Sequence, residues 1–310
     1  MPHIVTITFS PCIDKSTTVN ELIAEKKLKC TEPNLDPGGG GINVSRAIKK
    51  LGGDTLAIFP SGGYTGNFFN HLLEMEMIPS VIVESSNETR ENIIVFEDSS
   101  SNQYRFGMPG TLLNENEWIK ILEAVEAVET PDYIVASGSL PPGVPSDIYA
   151  RISKIAKRKN AKYIIDTSGD ALKHAISHGA YLIKPNLGEL SSLTGVEKIE
   201  LNEVENLARK ILQQNPCEII VVSLGKDGAI LVTNDETFKV SAPDVPRKST
   251  VGAGDSMLAG IVYSISKGLN LKQALQYGVA CGTAATMNRG TELFNKKDVD
   301  QLFKMITDPK

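Results

Sequence analysis

Short, uninterrupted apolar runs alternate with amphipathic stretches through the second half of the chain. Tyr163-Ile164-Ile165-Asp166, Tyr181-Leu182-Ile183-Lys184 and Ile219-Ile220-Val221-Val222-Ser223 each read as a strand buried on both faces. Helical spacing predicts helices over 170–177, from about 186, over 203–214 and over 256–266. Continuous apolar strands separated by helices predict a doubly wound, mostly parallel α/β sheet flanked by helices. Asn114-x-x-Glu117 and Asn270-x-x-Gln273 have the capping-box spacing that opens two more helices.

The first half has a different rhythm. After a strand over 4–9 comes a polar stretch with short β-like pieces, and a second β-rich stretch covers 91–96 and 103–106, broken by Asp98-Ser99-Ser100-Ser101-Asn102. Both alternate polar and apolar residues, so each should bury only one face. They predict a small antiparallel β-sheet outside the main layers, formed by segments about 14–36 and 89–107 and acting as a lid. Plain surface hairpins are the alternative. No internal repeat or low-complexity linker divides the chain, so 1–310 is expected to be one domain.

Composition narrows the function classes. The 310 residues are 41% hydrophobic, enough for a large core and incompatible with disorder. A net charge of −5 without any Lys/Arg cluster argues against a nucleic-acid partner. No window approaches an uninterrupted apolar span, and no basic leader precedes the first strand, so no membrane partner is expected. Cys12, Cys30, Cys217 and Cys281 lack CxxC spacing, which fits a reducing cytoplasm rather than disulfides or a metal. The histidines show no ligand spacing, and Met75, Met77 and Trp118 read as packing residues.

Two glycine clusters carry candidate chemistry. Pro37-Gly38-Gly39-Gly40-Gly41-Ile42-Asn43 runs into an amphipathic helix, whose bare N–H groups and positive end suit a polar ligand. Asn43 adds an amide for hydroxyl groups. In Ser249-Thr250-Val251-Gly252-Ala253-Gly254-Asp255, small residues at a helix start make a nest for a transferring phosphoryl group. Asp255 in the first turn is then placed to accept a hydroxyl proton. Helix capping alone would account for one Asp but not for the Gly-Ala-Gly before it. No GxxxxGK[ST] and no GxGxxG after a strand is present, so P-loop and dinucleotide readings lack their motifs. Lys184-Pro185-Asn186-Leu187-Gly188-Glu189 and Ser223-Leu224-Gly225-Lys226-Asp227-Gly228 follow successive strands, where ligands bind in open α/β sheets.

The glycine run (extended through Gly52 and Gly62), the Thr250–Asp255 cluster and Asn186-x-x-Glu189 together resemble the signatures of the ribokinase-like PfkB carbohydrate kinase family, in its order and over essentially the whole chain. The resemblance implies a doubly wound α/β fold with a small β lid, and ATP-dependent phosphorylation of a sugar hydroxyl. Lys27–Thr31, Gly38–Asn43, Tyr104–Gly110 and Ser137–Gly143 are most similar to the branch that phosphorylates the 1-hydroxyl of fructose 6-phosphate. Tagatose-6-phosphate kinase and 1-phosphofructokinase are alternatives; those branches usually carry Lys where this chain has Gly40. A non-catalytic sugar-phosphate sensor is the alternative of a different class.

The same resemblance implies roles. Asp255 would be the base, and Gly252, Ala253 and Gly254 the anion hole. Asp14, Gly39, Gly40, Gly41 and Asn43 would hold the sugar, and Lys27, Arg90, Arg105 and Ser139 its phosphate. Lys184, Asn186, Ser223, Gly225 and Gly228 would bind ATP, with Thr283 flanking the adenine. Glu189 would organise Mg²⁺ indirectly, and Ser249, Val251, Ala285, Asn288 and Gly290 would hold K⁺ through mostly backbone oxygens. The role of Glu292, at the end of that set, is open. The family habit, and lid strands that need covering, imply a homodimer through the lid.

Overall fold

The computed structural model describes residues 3–308; residues 1–2 and 309–310 lie outside them. In chain order the strands are β1 (Ile4–Ile7), β2 (Cys12–Val19), β3 (Asn34–Gly38), β4 (Thr55–Ser61), β5 (Ser80–Glu84), β6 (Arg90–Glu97), β7 (Asn102–Phe106), β8 (Tyr133–Ser137), β9 (Lys162–Asp166), β10 (Ala180–Ile183), β11 (Cys217–Ser223), β12 (Ala229–Val232) and β13 (Thr237–Val240). Nine form one sheet in the order β13-β12-β11-β10-β9-β8-β1-β4-β5. All neighbouring pairs from β5 to β11 are parallel, and β12 and β13 close one edge as an antiparallel meander.

The apolar runs of the second half are the interior strands of this sheet. Ile164, Ile165, Leu182, Ile183, Ile220, Val221 and Val222 are fully shielded. Helices cover both faces. One core gathers the helices Glu115–Ala127, Ile148–Arg158, Gly169–His178 and Val204–Gln214. The other gathers Gly40–Lys50, Ala253–Ser266, Leu271–Thr286 and Lys296–Thr307. Capping boxes open helices at Asn114 and Asn270, as the spacing predicts, and a third opens at Asn186. No helix among the described residues is long and apolar enough to cross a membrane.

The chain leaves β1 toward β4 and β5 and returns to β8 on the other side of β1. The β1/β8 boundary is therefore the switch point at which the ends of adjacent strands diverge, the usual ligand crevice of such sheets. The helix Gly40–Lys50 starts there. A Cβ on Gly40 would lie 2.4 Å from the Ser137 hydroxyl, and one on Gly41 would lie 2.5 Å from the Ile7 carbonyl. These glycines are required first by close packing of the helix start on the strand ends, and only then by any ligand.

The second sheet has the order β3-β2-β6-β7. It is mixed, not antiparallel as expected: β2 runs antiparallel to β3, and β6 antiparallel to β7, but β2 and β6 pair in parallel. Alternation reveals which face a strand buries but not the direction of its neighbour. The register sets Asp14 beside both Asp36 and Asn92, and Cys12 beside both Gly38 and Arg90. Met75 and Met77 are 67% and 70% exposed, so they are not core residues. Leu73 and Phe69 supply the buried face of the helix Gly63–Met75, at whose end Met75 stands. Trp118 is buried, with the Arg151 guanidinium 5.1 Å from its ring.

Candidate active site

Asp255 lies in the first turn of the helix Ala253–Ser266, which begins at Gly252 in a left-handed conformation (φ +71°) and has no side-chain cap. Its uncapped N–H groups therefore face the crevice beside a carboxylate. Asn43, on the helix that starts at the switch point, donates from Nδ2 to Asp255 Oδ2 at 2.9 Å. Burial raises the Asp255 pKa to about 6, and the nearby Asp166 carboxylate adds to the rise, against the Asn43 hydrogen bond and the Lys184 ammonium. A carboxyl group with that pKa is ionised at neutral pH and well matched to accept a hydroxyl proton.

Lys184 closes β10 and is buried. Its Nζ pairs with Asp166 Oδ2 at 3.2 Å, and a Cβ on Gly254 would lie only 3.4 Å from it. The ammonium thus sits directly beneath the Gly-Ala-Gly turn. Burial works against its charge, but Asp166 and Asp255 outweigh burial and hold its pKa above the ordinary lysine value. Asp166 received no role from the sequence, yet it influences Asp255, Lys184 and Glu189 together. The available signal was an acidic residue ending an otherwise apolar buried strand.

Next to this centre is a cavity of about 670 Å³ lined by Asn186, Ser223, Gly225, Gly228, Thr283 and Gly254, among others. The ATP-assigned residues therefore share one chamber, with Lys184 below it. Gly225 (φ +61°) has open space where a Cβ would stand, whereas Gly228 is held against the Val240 carbonyl. Asn186 and Glu189 cap each other: Asn186 Oδ1 accepts from Glu189 N, and Glu189 Oε2 accepts from Asn186 N, both at 2.9 Å. Burial pushes the Glu189 pKa up against its bond from Asn186 N, and Asp166 adds to the rise. Two carboxylates, Asp166 and Glu189, so placed are hard oxygen donors whose chemistry fits a hydrated Mg²⁺.

Among the residues assigned to the sugar, Asp14 is buried and its pKa is raised by burial, against the pull of Asn92, Cys12 and Arg90. Oδ1 accepts from Asn92 Nδ2 at 2.9 Å and from the Cys12 thiol at 3.3 Å. Gly38 packs where only a hydrogen fits, because a Cβ would meet Asp14 Oδ2 at 2.3 Å. Gly39 (φ +112°) caps the helix start. Arg90 donates to the carbonyls of Met108 (2.8 Å) and Ser10 (3.1 Å), while its Nε is buried without a partner. Thr8, Ser10 and the Asn43 carbonyl oxygen are likewise buried without partners, leaving polar capacity at this end of β1.

Other assigned residues are placed differently. Arg105 donates to Gln103 and to the Thr250 hydroxyl, and Gln103 Nε2 donates to Ser249 Oγ at 3.0 Å. The small sheet thus docks through β7 on the loop that carries Ser249 and Thr250, and Arg105 reaches that loop. Ser139 is exposed in the turn after β8. Lys27 is exposed in the stretch between β2 and β3 and makes no hydrogen bond or ion pair among the described residues.

The residues assigned to K⁺ come together. Ser249 Oγ donates to the Gly290 carbonyl at 3.1 Å and accepts from Val251 N at 3.2 Å. Asn288 N bonds the Ala285 carbonyl, and Lys248 N bonds the Thr286 carbonyl. The donor set is neutral carbonyl, amide and hydroxyl oxygen, and no group of three or more His, Cys, Asp or Glu gathers as a metal site among the described residues. That chemistry fits a weakly held monovalent cation. Glu292 is exposed.

Comparison with known proteins adds an independent line. The pfkB family carbohydrate kinase pattern matches residues 7–298. The chain is 40% identical over 308 residues, 99% of its own length and 100% of the relative's, to the ATP-dependent 6-phosphofructokinase isozyme 2 of Escherichia coli strain K12. Its structure is similar to that of Escherichia coli phosphofructokinase-2 in complex with potassium, with TM-score 0.94 and 40% identity, covering 99% of this chain and 100% of that one. A structure of the same Escherichia coli enzyme in complex with fructose-6-phosphate gives TM-score 0.93 at 38% identity, again covering 99% and 100%.

Proposed function

The chain belongs to the pfkB family of carbohydrate kinases, and from that premise we propose that it is an ATP-dependent 6-phosphofructokinase, transferring the γ-phosphoryl group of ATP to the 1-hydroxyl of fructose 6-phosphate. The observation that carries this reading is Asp255 beside an uncapped helix start, oriented by Asn43 and next to the 670 Å³ cavity.

Asp255 accepts the proton of the 1-hydroxyl as its oxygen bonds to the γ-phosphorus, and the bond to the β-phosphate oxygen breaks to leave ADP. The helix start and Lys184 face the charge that builds on the transferring group. Asp14 and Asn43 orient the sugar, and Arg90 and Ser139 hold its phosphate. Arg105 has a second role in this reading, joining the lid to Thr250 of the anion-hole loop. Mg²⁺, organised by Glu189 and Asp166, would supply charge neutralisation between the phosphates. Ser249, Val251, Ala285, Asn288 and Gly290 would hold K⁺ beside the loop.

The small sheet serves as the lid of a single domain. Ile93, Tyr104 and Phe106 are partly exposed on it, which supports pairing with a second copy into a homodimer. A cytoplasmic location accompanies this reading. The experiment that tests the function compares kcat/KM for fructose 6-phosphate, tagatose 6-phosphate and fructose 1-phosphate by ADP release. Preference for fructose 6-phosphate supports it, and preference for either other sugar overturns it.

A further inference from the structure

Arg46 is only 2% exposed, yet none of the roles above uses it. Its guanidinium joins four segments. Nε donates to both carboxylate oxygens of Glu76 at 2.9 Å, and Nη2 donates to Asp36 Oδ1 at 3.1 Å. Nη1 donates to the carbonyls of Pro37 at 2.9 Å and Thr291 at 3.2 Å. Asp36 completes the link, since its Oδ2 accepts from the Thr291 hydroxyl at 2.9 Å.

The contacts with Pro37, Asp36 and Thr291 touch segments that the proposed reaction needs, and the contact with Glu76 does not. Pro37 precedes Gly38, which packs on Asp14. Thr291 follows Gly290, whose carbonyl accepts from Ser249 and whose bare Cα faces Ser16 of β2, where a Cβ would meet the hydroxyl at 2.5 Å. Arg46 itself stands one turn after Asn43 on the same helix. Burying a charged side chain is costly unless every donor is met, and an apolar side chain would pack there at lower cost. A fully engaged guanidinium at this junction fixes one relative placement of the segments.

We propose that Arg46 is a positioning residue that couples the 288–291 loop to the sugar pocket. A shift of the Thr291 carbonyl, as a monovalent cation is gained or lost, is passed through Arg46 and Asp36 to Pro37, Gly38 and Asp14. This rests on the cation reading of that loop given above.

The test is calorimetric binding of fructose 6-phosphate without nucleotide, in potassium chloride and in tetramethylammonium chloride of equal ionic strength. The wild-type protein should bind about fivefold or more tightly in potassium, the lower end of ordinary coupling. Arg46→Lys and Asp36→Asn should erase most of that ratio while keeping the far-ultraviolet circular dichroism of the wild type. Glu76→Gln removes the charge from the one contact that leads to neither the sugar pocket nor the 288–291 loop, so it should lower the melting temperature and keep the ratio. A folded Asp36→Asn protein with the wild-type ratio overturns the coupling alone. A wild-type protein indifferent to potassium overturns the cation reading, and the coupling with it.

Discussion

The Asn43 amide nitrogen donates to Asp255 Oδ2 at 2.9 Å, joining residues 212 positions apart in the chain. One helix starts against the ends of β1 and β8, the other starts at the Gly-Ala-Gly turn, and this bond fixes their termini relative to each other. In the proposed reaction, the carboxylate that accepts the proton is therefore aimed before substrate arrives, which is what an effective general base requires.

Replacing the base should separate chemistry from binding. Asp255→Asn keeps the shape of the side chain and should lower kcat by about 10²–10⁴-fold. Calorimetric affinity for fructose 6-phosphate should change far less. Near-native turnover would remove Asp255 from the mechanism.

The acid limb of the pH–rate profile should report this same group. With a pKa of about 6, Asp255 loses its basic form as pH falls through that value, so kcat should fall with it. Asn43→Ala removes a hydrogen bond that favours the ionised form, and should move the limb to higher pH. The stability contribution has the opposite sign. A carboxyl pKa raised above the ordinary aspartate value stabilises the fold at low pH, and that contribution is lost as pH rises through about 6. Thermal unfolding across this window checks the sign against other titrating groups when Asp255→Asn is run beside the wild type.

Lys184, itself buried, balances two half-buried carboxylates. Lys184→Met leaves Asp166 and Asp255 without their cation, and should destabilise the protein by about 3–5 kcal/mol. It should also push the acid limb upward, because the Lys184 ammonium lowers the Asp255 pKa. Denaturant melts and the pH profile measure the two effects separately.

The two glycines of the Gly-Ala-Gly turn should fail in different ways. At Gly252 the backbone is left-handed and a Cβ would meet Leu293 Cδ2 at 2.7 Å, so Gly252→Ala should cost about 1 kcal/mol or more of stability along with activity. Gly254 has ordinary backbone geometry and only Lys184 Nζ near its missing Cβ, at 3.4 Å. Gly254→Ala should therefore leave the melting temperature nearly unchanged while lowering kcat through a methyl group placed in the anion hole.

Much of this was legible because local sequence carries it. Buried strands read as apolar runs, and the capping boxes at Asn114 and Asn270 are four-residue patterns. The Gly-Ala-Gly-Asp turn is likewise contiguous. What escaped depended on distant partners. Asp166 reads only as the end of a strand until β9 and β10 are adjacent and Lys184 is its counter-ion. Arg46 sits inside the glycine motif, but its partners are 10, 30 and 245 residues away. The parallel β2–β6 pairing is invisible to alternation, and Met75 shows that helical spacing marks an apolar position without saying what covers it.

The most direct test of the central claim is phosphorus NMR of the product made from ATP, Mg²⁺ and fructose 6-phosphate. A new phosphomonoester at carbon 1, formed in step with ADP and lost in Asp255→Asn, is the predicted result. ADP released without any sugar bisphosphate, or no ADP at all, would contradict the proposed transfer.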